Sequence, residues 1–164
     1  MHQKVNVLCG ILDTTIIGPF FFRGNINSHM YLNYLQNNLE EELDDLPLLQ
    51  RGNMWFQLDG ASIHSTYPVR NYIENRFPGR WIGRYSEHPW PARSPDLTPL
   101  DFFLLGYLKN RVYSRRPFNS VDELEEAITD EVREIPKRFL RNAVEDVTKR
   151  TMICMARGGG HVET

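Results

Sequence analysis

Four prolines within eleven residues, Pro89, Pro91, Pro95 and Pro99, constrain this chain more than any other feature. Proline lacks a backbone donor and pushes the residue before it out of the helical region, so this stretch reads as an extended loop from Glu87 to Pro99. It divides the 164 residues into two dissimilar parts. Before it, short apolar runs rich in β-formers alternate with helical periodicity. After it the pattern is helical throughout.

In the first part, VNVLCGIL and TTIIGPFFF read as two strands joined by a hairpin turn at Leu12-Asp13-Thr14, with a bend at Gly18-Pro19. Asn25 to Ser28 is turn-like, and Ser28 is placed to cap the helix that follows. Met30, Leu32, Leu35, Leu39, Leu43 and Leu46 recur at helical spacing, and Pro47 ends that run. A turn at Arg51-Gly52-Asn53 precedes the compact strand MWFQLD. A helix over 67–76 with Val69, Tyr72, Ile73 and Phe77 inward comes next, stopped by Pro78-Gly79, and RWIGRY is a short strand. Beyond the prolines a helix begins near Asp101 with Leu104, Leu105, Leu108 and Val112 on one side. Amphipathic helices follow over 121–134 and 137–157, closed by Gly158-Gly159-Gly160. The order is that of an α/β domain with its helical mass at the C-terminus, here taken as one domain spanning 1–164. There is no internal repeat.

Composition excludes several function classes. Apolar residues make up 41% and charged residues 24%, which is ordinary for a packed domain and argues against wholesale disorder. No apolar run approaches the roughly 20 residues of a membrane span, and the start is too short in apolar residues for a secretion signal. Cys9 and Cys154 are too few for a disulfide framework or a zinc ribbon, which points to a reducing compartment. Net charge is −2, but it is unevenly spread: Arg51 to Val121 holds 10 Lys+Arg against 5 Asp+Glu, and the rest 9 against 16. A basic middle between acidic ends can conceal a face for a polyanion; it is equally what solvated acidic helices and scattered arginines would give.

Two carboxylates stand out. Asp59 ends an apolar strand, at the sheet edge where ligands tend to bind. Asp101 opens a helix behind the stiff loop, where capping would also employ it. Together they suggest hard oxygen ligands for Mg²⁺ or Mn²⁺, as in paired-metal phosphodiester chemistry. Asp13 lies in a hairpin turn and Asp96 in a Ser-Pro-Asp turn, so both have local structural reasons to be there. His64, five residues past Asp59, is placed either to assist or to form a local hydrogen bond; His88 is weaker. Trp55, Trp81 and Trp90 read first as core and second as stacking platforms.

FQLDGASIH, FPGRWIGR, WPARSPDLTPLDFFLLGYLK and MICMARGGGHVE strongly resemble the catalytic part of Tc/mariner-type transposases, DDE enzymes with a ribonuclease-H-like core, across nearly the whole chain. The resemblance implies a mixed sheet flanked by helices, with extra helices at the C-terminus. Met1–Phe22 would be the family's second and third strands, MWFQLD its fourth and RWIGRY its fifth. The family's second acid falls on Asp59 and its third on Asp101 rather than Asp96, with 41 residues between them, a longer spacing than is commonest in mariners. Leu58 stands where many relatives have glutamine, and Ser62-Ile63 where they have paired prolines.

What the resemblance further implies is Mg²⁺- or Mn²⁺-dependent DNA cleavage and strand transfer in the nucleus, with transposon-end and target DNA and a second copy of the chain as partners. No membrane or small-molecule substrate is expected. The family's first acid lies on a first strand upstream of VNVLCG, and its helix-turn-helix modules precede the core. This chain is therefore expected to be missing that strand and that acid, and to show little or no cleavage alone. The alternative is a non-catalytic, transposon-derived module binding DNA or protein. Its footprint would be Arg70, Arg76, Arg80, Arg84, Arg93, Lys109, Arg111, Arg115 and Arg116.

Overall fold

The computed structural model describes residues 5–91, 93–114 and 117–162. They form two compact units: Met1–Asn25 with Ser94–Thr164, and Ile26–Arg93.

The first unit begins with an antiparallel hairpin, β1 (Asn6–Leu12) and β2 (Thr15–Phe22). Asp13 takes a left-handed φ of 52° in the connecting turn, as expected of a short polar residue at a tight hairpin. The register shifts between Leu8 and Gly10, opposite the bend at Gly18-Pro19. Against this hairpin pack α5 (Leu105–Tyr113), α6 (Val121–Arg133) and α7 (Lys137–Ala156). Leu104, Leu108 and Val112 step by four residues and form one buried stripe, meeting Leu124, Ile128 and Val132 of α6 and Leu140 of α7. Leu105, expected inward, is 39% exposed: one residue past Leu104 it lies about 100° around the helix and off the stripe. Ser120 caps α6 by accepting the Glu123 N–H at 3.1 Å. The three glycines close α7 as expected: Gly158 and Gly159 have φ of 64° and 92°, and the Gly159 N–H reaches the Cys154 carbonyl at 2.9 Å.

The second unit is a small parallel sheet covered by helices. β3 (Phe56–Gln57), β4 (Trp81–Gly83) and β5 (His88–Pro89) lie in that order, so the proline-rich stretch contributes an edge strand as well as a loop. Pro89 is compatible with this position because an edge strand leaves one row of backbone groups unpaired. The helix read from Met30 to Leu46 is one rod in three pieces: α1 (Ser28–Tyr34), a wider π-helical turn at Leu35–Leu39 and α2 (Glu40–Asp44). Its cap is Asn27 rather than Ser28, since the Asn27 side chain accepts the Met30 N–H at 2.9 Å. Tyr31 and Tyr34 join the leucines in its buried face. The expected turn at Arg51-Gly52-Asn53 belongs instead to a short helix, α3 (Leu48–Asn53). Its last carbonyls are taken by Arg80, which donates to Gly52 and Met54, a long-range bond with no local signature. The helix over 67–76 is α4 (Tyr67–Arg76), with Val69, Ile73 and Phe77 fully buried.

Candidate active site

Asp59 stands immediately beyond the β3–β4 ladder, whose last bond runs from the Leu58 N–H to the Ile82 carbonyl at 2.8 Å. It lies at the C-terminal end of a parallel strand paired with β4. Its Oδ1 accepts the Ala61 N–H at 3.0 Å, a local turn that Gly60-Ala61 makes possible, and pairs with His64 Nδ1 at 2.6 Å. Those bonds, that of His64 foremost, hold the Asp59 carboxyl below the usual range against the opposing effect of partial burial, so it is ionised at neutral pH. Its Oδ2 has no hydrogen-bond partner among the described residues, and the side chain is 47% exposed.

His64 is fixed from two sides. A 3₁₀ turn, Ser62–Ser65, carries it, and the ring of buried Tyr31 lies 4.5 Å away. Burial, then the neighbouring Tyr34 and Asp59, raise the Tyr31 phenol well above its ordinary range, so no second anion forms beside Asp59. Asp59 and His64 line a recess with Leu58, Ser65, Arg70, Trp81, Arg84 and Tyr85.

Asp101 lies in a different setting. The 3₁₀ turn Pro95–Leu97 brings the chain to a π-helical turn, Leu100–Leu104, that runs into α5, and Asp101 is exposed on it with its N–H on the Thr98 carbonyl at 3.0 Å. Asp96 is spent elsewhere: its Oδ2 accepts the Val162 N–H at 2.6 Å, and its carbonyl, like that of Val162, accepts from Arg150. Asp13 is exposed in its hairpin turn.

The basic residues separate by partner. Arg76 is bound to Glu40 at 2.7 Å, and Glu40 also accepts from the Tyr72 hydroxyl. Burial favours the protonated Glu40, but those two donors hold its carboxyl below the ordinary range. Arg111 is bound to Glu131, a fully buried carboxylate on the apolar face of α6. Arg80 is tied to α3. Arg70 and Arg84 lie over the Tyr85 ring at 4.5 and 5.4 Å. Arg93 occupies a left-handed turn with φ 54°, and Lys109 is exposed on α5. Arg115 and Arg116 lie outside the described residues. Sequence reasoning missed Glu40 and Glu131, whose ion pairs form between residues 36 and 20 positions apart. It also missed Tyr85. Among the tryptophans, Trp81 is core at 4% exposure, whereas Trp55 is 49% exposed and packs edge-on against His88. Burial pushes the Cys9 thiol up to about 12, which leaves it unreactive at neutral pH.

A family model described as DDE superfamily endonuclease matches residues 1–125. The chain belongs to that family. Its motifs resemble those of Tc/mariner-type transposases. It is 30% identical over 131 residues to the transposable element Tc3 transposase of Caenorhabditis elegans, an alignment covering 79% of this chain and 36% of that protein. The chain thus spans about a third of the relative's length. Its fold is ribonuclease-H-like. It superposes on the Mos1 transposase catalytic domain with raltegravir and magnesium at a TM-score of 0.82, with 20% identity, covering 97% of this chain and 77% of that one. Against the Mos1 mariner paired-end complex with manganese the TM-score is 0.83, with 19% identity over 99% of this chain and 46% of that one. Among the described residues no three His, Cys, Asp or Glu side chains gather into a metal-binding cluster, and no helix is long and apolar enough to cross a membrane.

Proposed function

We propose that the two units are parts of one transposase catalytic domain that cleaves and rejoins DNA phosphodiesters in the nucleus, with Asp59 and Asp101 as ligands for Mg²⁺ or Mn²⁺. The observation that carries this reading is the state of Asp59: ionised, anchored through one oxygen and open at the other, at the C-terminal edge of a parallel sheet. A carboxylate oxygen in that state is the hard donor such cations take, so the residue fits the group. Asp101, exposed at the opening of its helix, is the second ligand on the family's pattern. When bound, the cations would supply Lewis-acid activation and charge neutralisation at a phosphodiester.

The chain's own residues do the rest. Ala61 and His64 fix Asp59 through Oδ1, and Tyr31 packs against the His64 ring. Arg70 and Arg84, which have no carboxylate partner among the described residues, hold the DNA backbone. A second copy of the chain, and transposon-end and target DNA, are the partners this reading entails.

Calorimetric titration of Mn²⁺ tests it. Asp59→Asn is expected to weaken binding by about a hundredfold or more, at or beyond the upper end of what loss of a ligand's supporting residue costs, while its thermal transition stays within a few degrees of the wild type. Unchanged Mn²⁺ affinity in folded Asp59→Asn would refute the assignment. DNA affinity that survives loss of both Asp59 and Asp101 in a chain that binds no metal would favour a non-catalytic binding module instead.

A further inference from the structure

The recess beside Asp59 has a second wall that metal binding does not explain. Gly83 to Ser86 is a tight turn leaving β4, closed by the Ser86 N–H on the Gly83 carbonyl at 3.3 Å. Ser86 Oγ locks it further: it accepts the N–H groups of Gly83 and His88 at 3.2 and 3.0 Å and donates to the His88 carbonyl at 2.6 Å. Glycine is required at its first position, because a Cβ on Gly83 would stand 2.6 Å from the Trp81 ring. This braced turn projects Arg84 and Tyr85 outward, and Tyr85 stays 54% exposed although it is a large aromatic.

Two guanidinium groups lie over that one ring, from Arg70 on α4 and from Arg84. Neither has a carboxylate partner among the described residues, in contrast to Arg76 and Arg111. Arg70 Nε is moreover buried with no acceptor. Of the side chains lining the recess, Asp59 is the one carboxylate, and its Oδ1 is already taken by His64 and the Ala61 N–H. Two like charges and an unsatisfied buried donor, gathered around one half-exposed aromatic side chain, call for an anion that brings a flat ring with it.

We propose that Tyr85, Arg70 and Arg84 form a subsite for one unpaired nucleotide of a DNA strand, its phosphate drawing the two arginines and its base packing on the solvent-exposed part of Tyr85. In a duplex both faces of a base are covered by its neighbours, so this platform selects a frayed or single-stranded nucleotide. Because the same recess holds Asp59, the subsite sets which phosphodiester of a distorted strand is presented there. This last point rests on the reading of Asp59 given above; the nucleotide site itself does not.

Fluorescence anisotropy with a short labelled single-stranded oligonucleotide and with its duplex, both in EDTA, tests the subsite without metal. Tyr85→Ala is expected to weaken single-strand binding about tenfold and to leave duplex binding within twofold, while Tyr85→Phe keeps near-wild-type affinity. Arg84→Ala should lower the slope of log K against log salt for the single strand by about 0.7. Equal losses on both DNA forms, a loss in Tyr85→Phe as large as in Tyr85→Ala, or no single-strand binding by the wild type would each overturn the proposal. None of these outcomes bears on the Mn²⁺ titration, so a failure here and a failure of the metal assignment are told apart.

Discussion

Asp59 and Asp96 are both aspartates in turns, and both have a carboxyl held below its ordinary range, yet their surroundings give them opposite uses. Asp59 is satisfied by residues two and five positions away and keeps one oxygen open, with a side chain 47% exposed. Asp96 reaches 66 positions along the chain to the Val162 N–H, and its side chain is 15% exposed. Local bonds position a group without consuming it; long-range bonds to backbone spend the group on closing the fold. A depressed carboxyl pKa is common to both and so identifies neither.

The sharpest way to break this contrast is Asp96→Ala. Removing the acceptor leaves the Val162 N–H without its partner and loosens the Arg150 bonds to the same segment, a cost of about 1–3 kcal/mol by urea denaturation. Mn²⁺ affinity should not move. A change in metal binding without loss of stability would reverse the two roles.

A smaller effect is expected at His64. His64→Ala should weaken Mn²⁺ binding about tenfold, because supporting residues orient the ligand they touch, and stability should change little. His64→Asn, which can offer an N–H from nearly the same place as Nδ1, should recover most of the affinity. Equal affinities in all three proteins would show that Asp59 needs no such support.

Acid should produce the smallest difference. The Val162 N–H, above all, lowers the Asp96 carboxyl below its ordinary 3.8. A folded-state pKa below the unfolded one means that the folded protein binds fewer protons. Its contribution is therefore present above the unfolded value and lost as pH falls through the folded one. Between about pH 5 and 3, Asp96→Asn should lose stability less steeply than the wild type, by under about 1 kcal/mol. Parallel pH profiles would mean that the clasp does not depend on charge.

Much of this architecture is legible in the sequence because its determinants are local. The hairpin around Asp13, the boundaries of α4 at Tyr67 and Arg76, and the closure of α7 at Gly158 all follow from periodicity and turn chemistry. So does the position of Asp59 at a strand end. What was not legible depends on distant partners. The helix α3 ends on Arg80, in the connection between α4 and β4, and β5 exists because Ile82 and Gly83 pair with His88 and Pro89 inside a proline-rich stretch. Glu131 sits at an apolar position of α6 and is tolerable there because Arg111 of α5 reaches it. The Tyr85 platform depends on arginines from two elements, and no spacing rule connects residues 70 and 85.

The wide turn at Leu100–Leu104 has a mechanical consequence. In an unbroken α-helix every side chain is geared to every other, and lengthening the chain by one residue rotates all that precedes it by about 100° relative to the core. A π-helical turn takes up one residue of slack. Here the turn carries both Asp101 and Leu104, the first residue of the stripe that Leu108 and Val112 continue, so the slack is absorbed at the acid's own turn. The residue taken up there lets the acid-bearing turn widen while Leu108 and Val112 keep their seats. A one-residue insertion or deletion within the turn is thus expected to change the aim of Asp101 more than the packing of Leu108 and Val112.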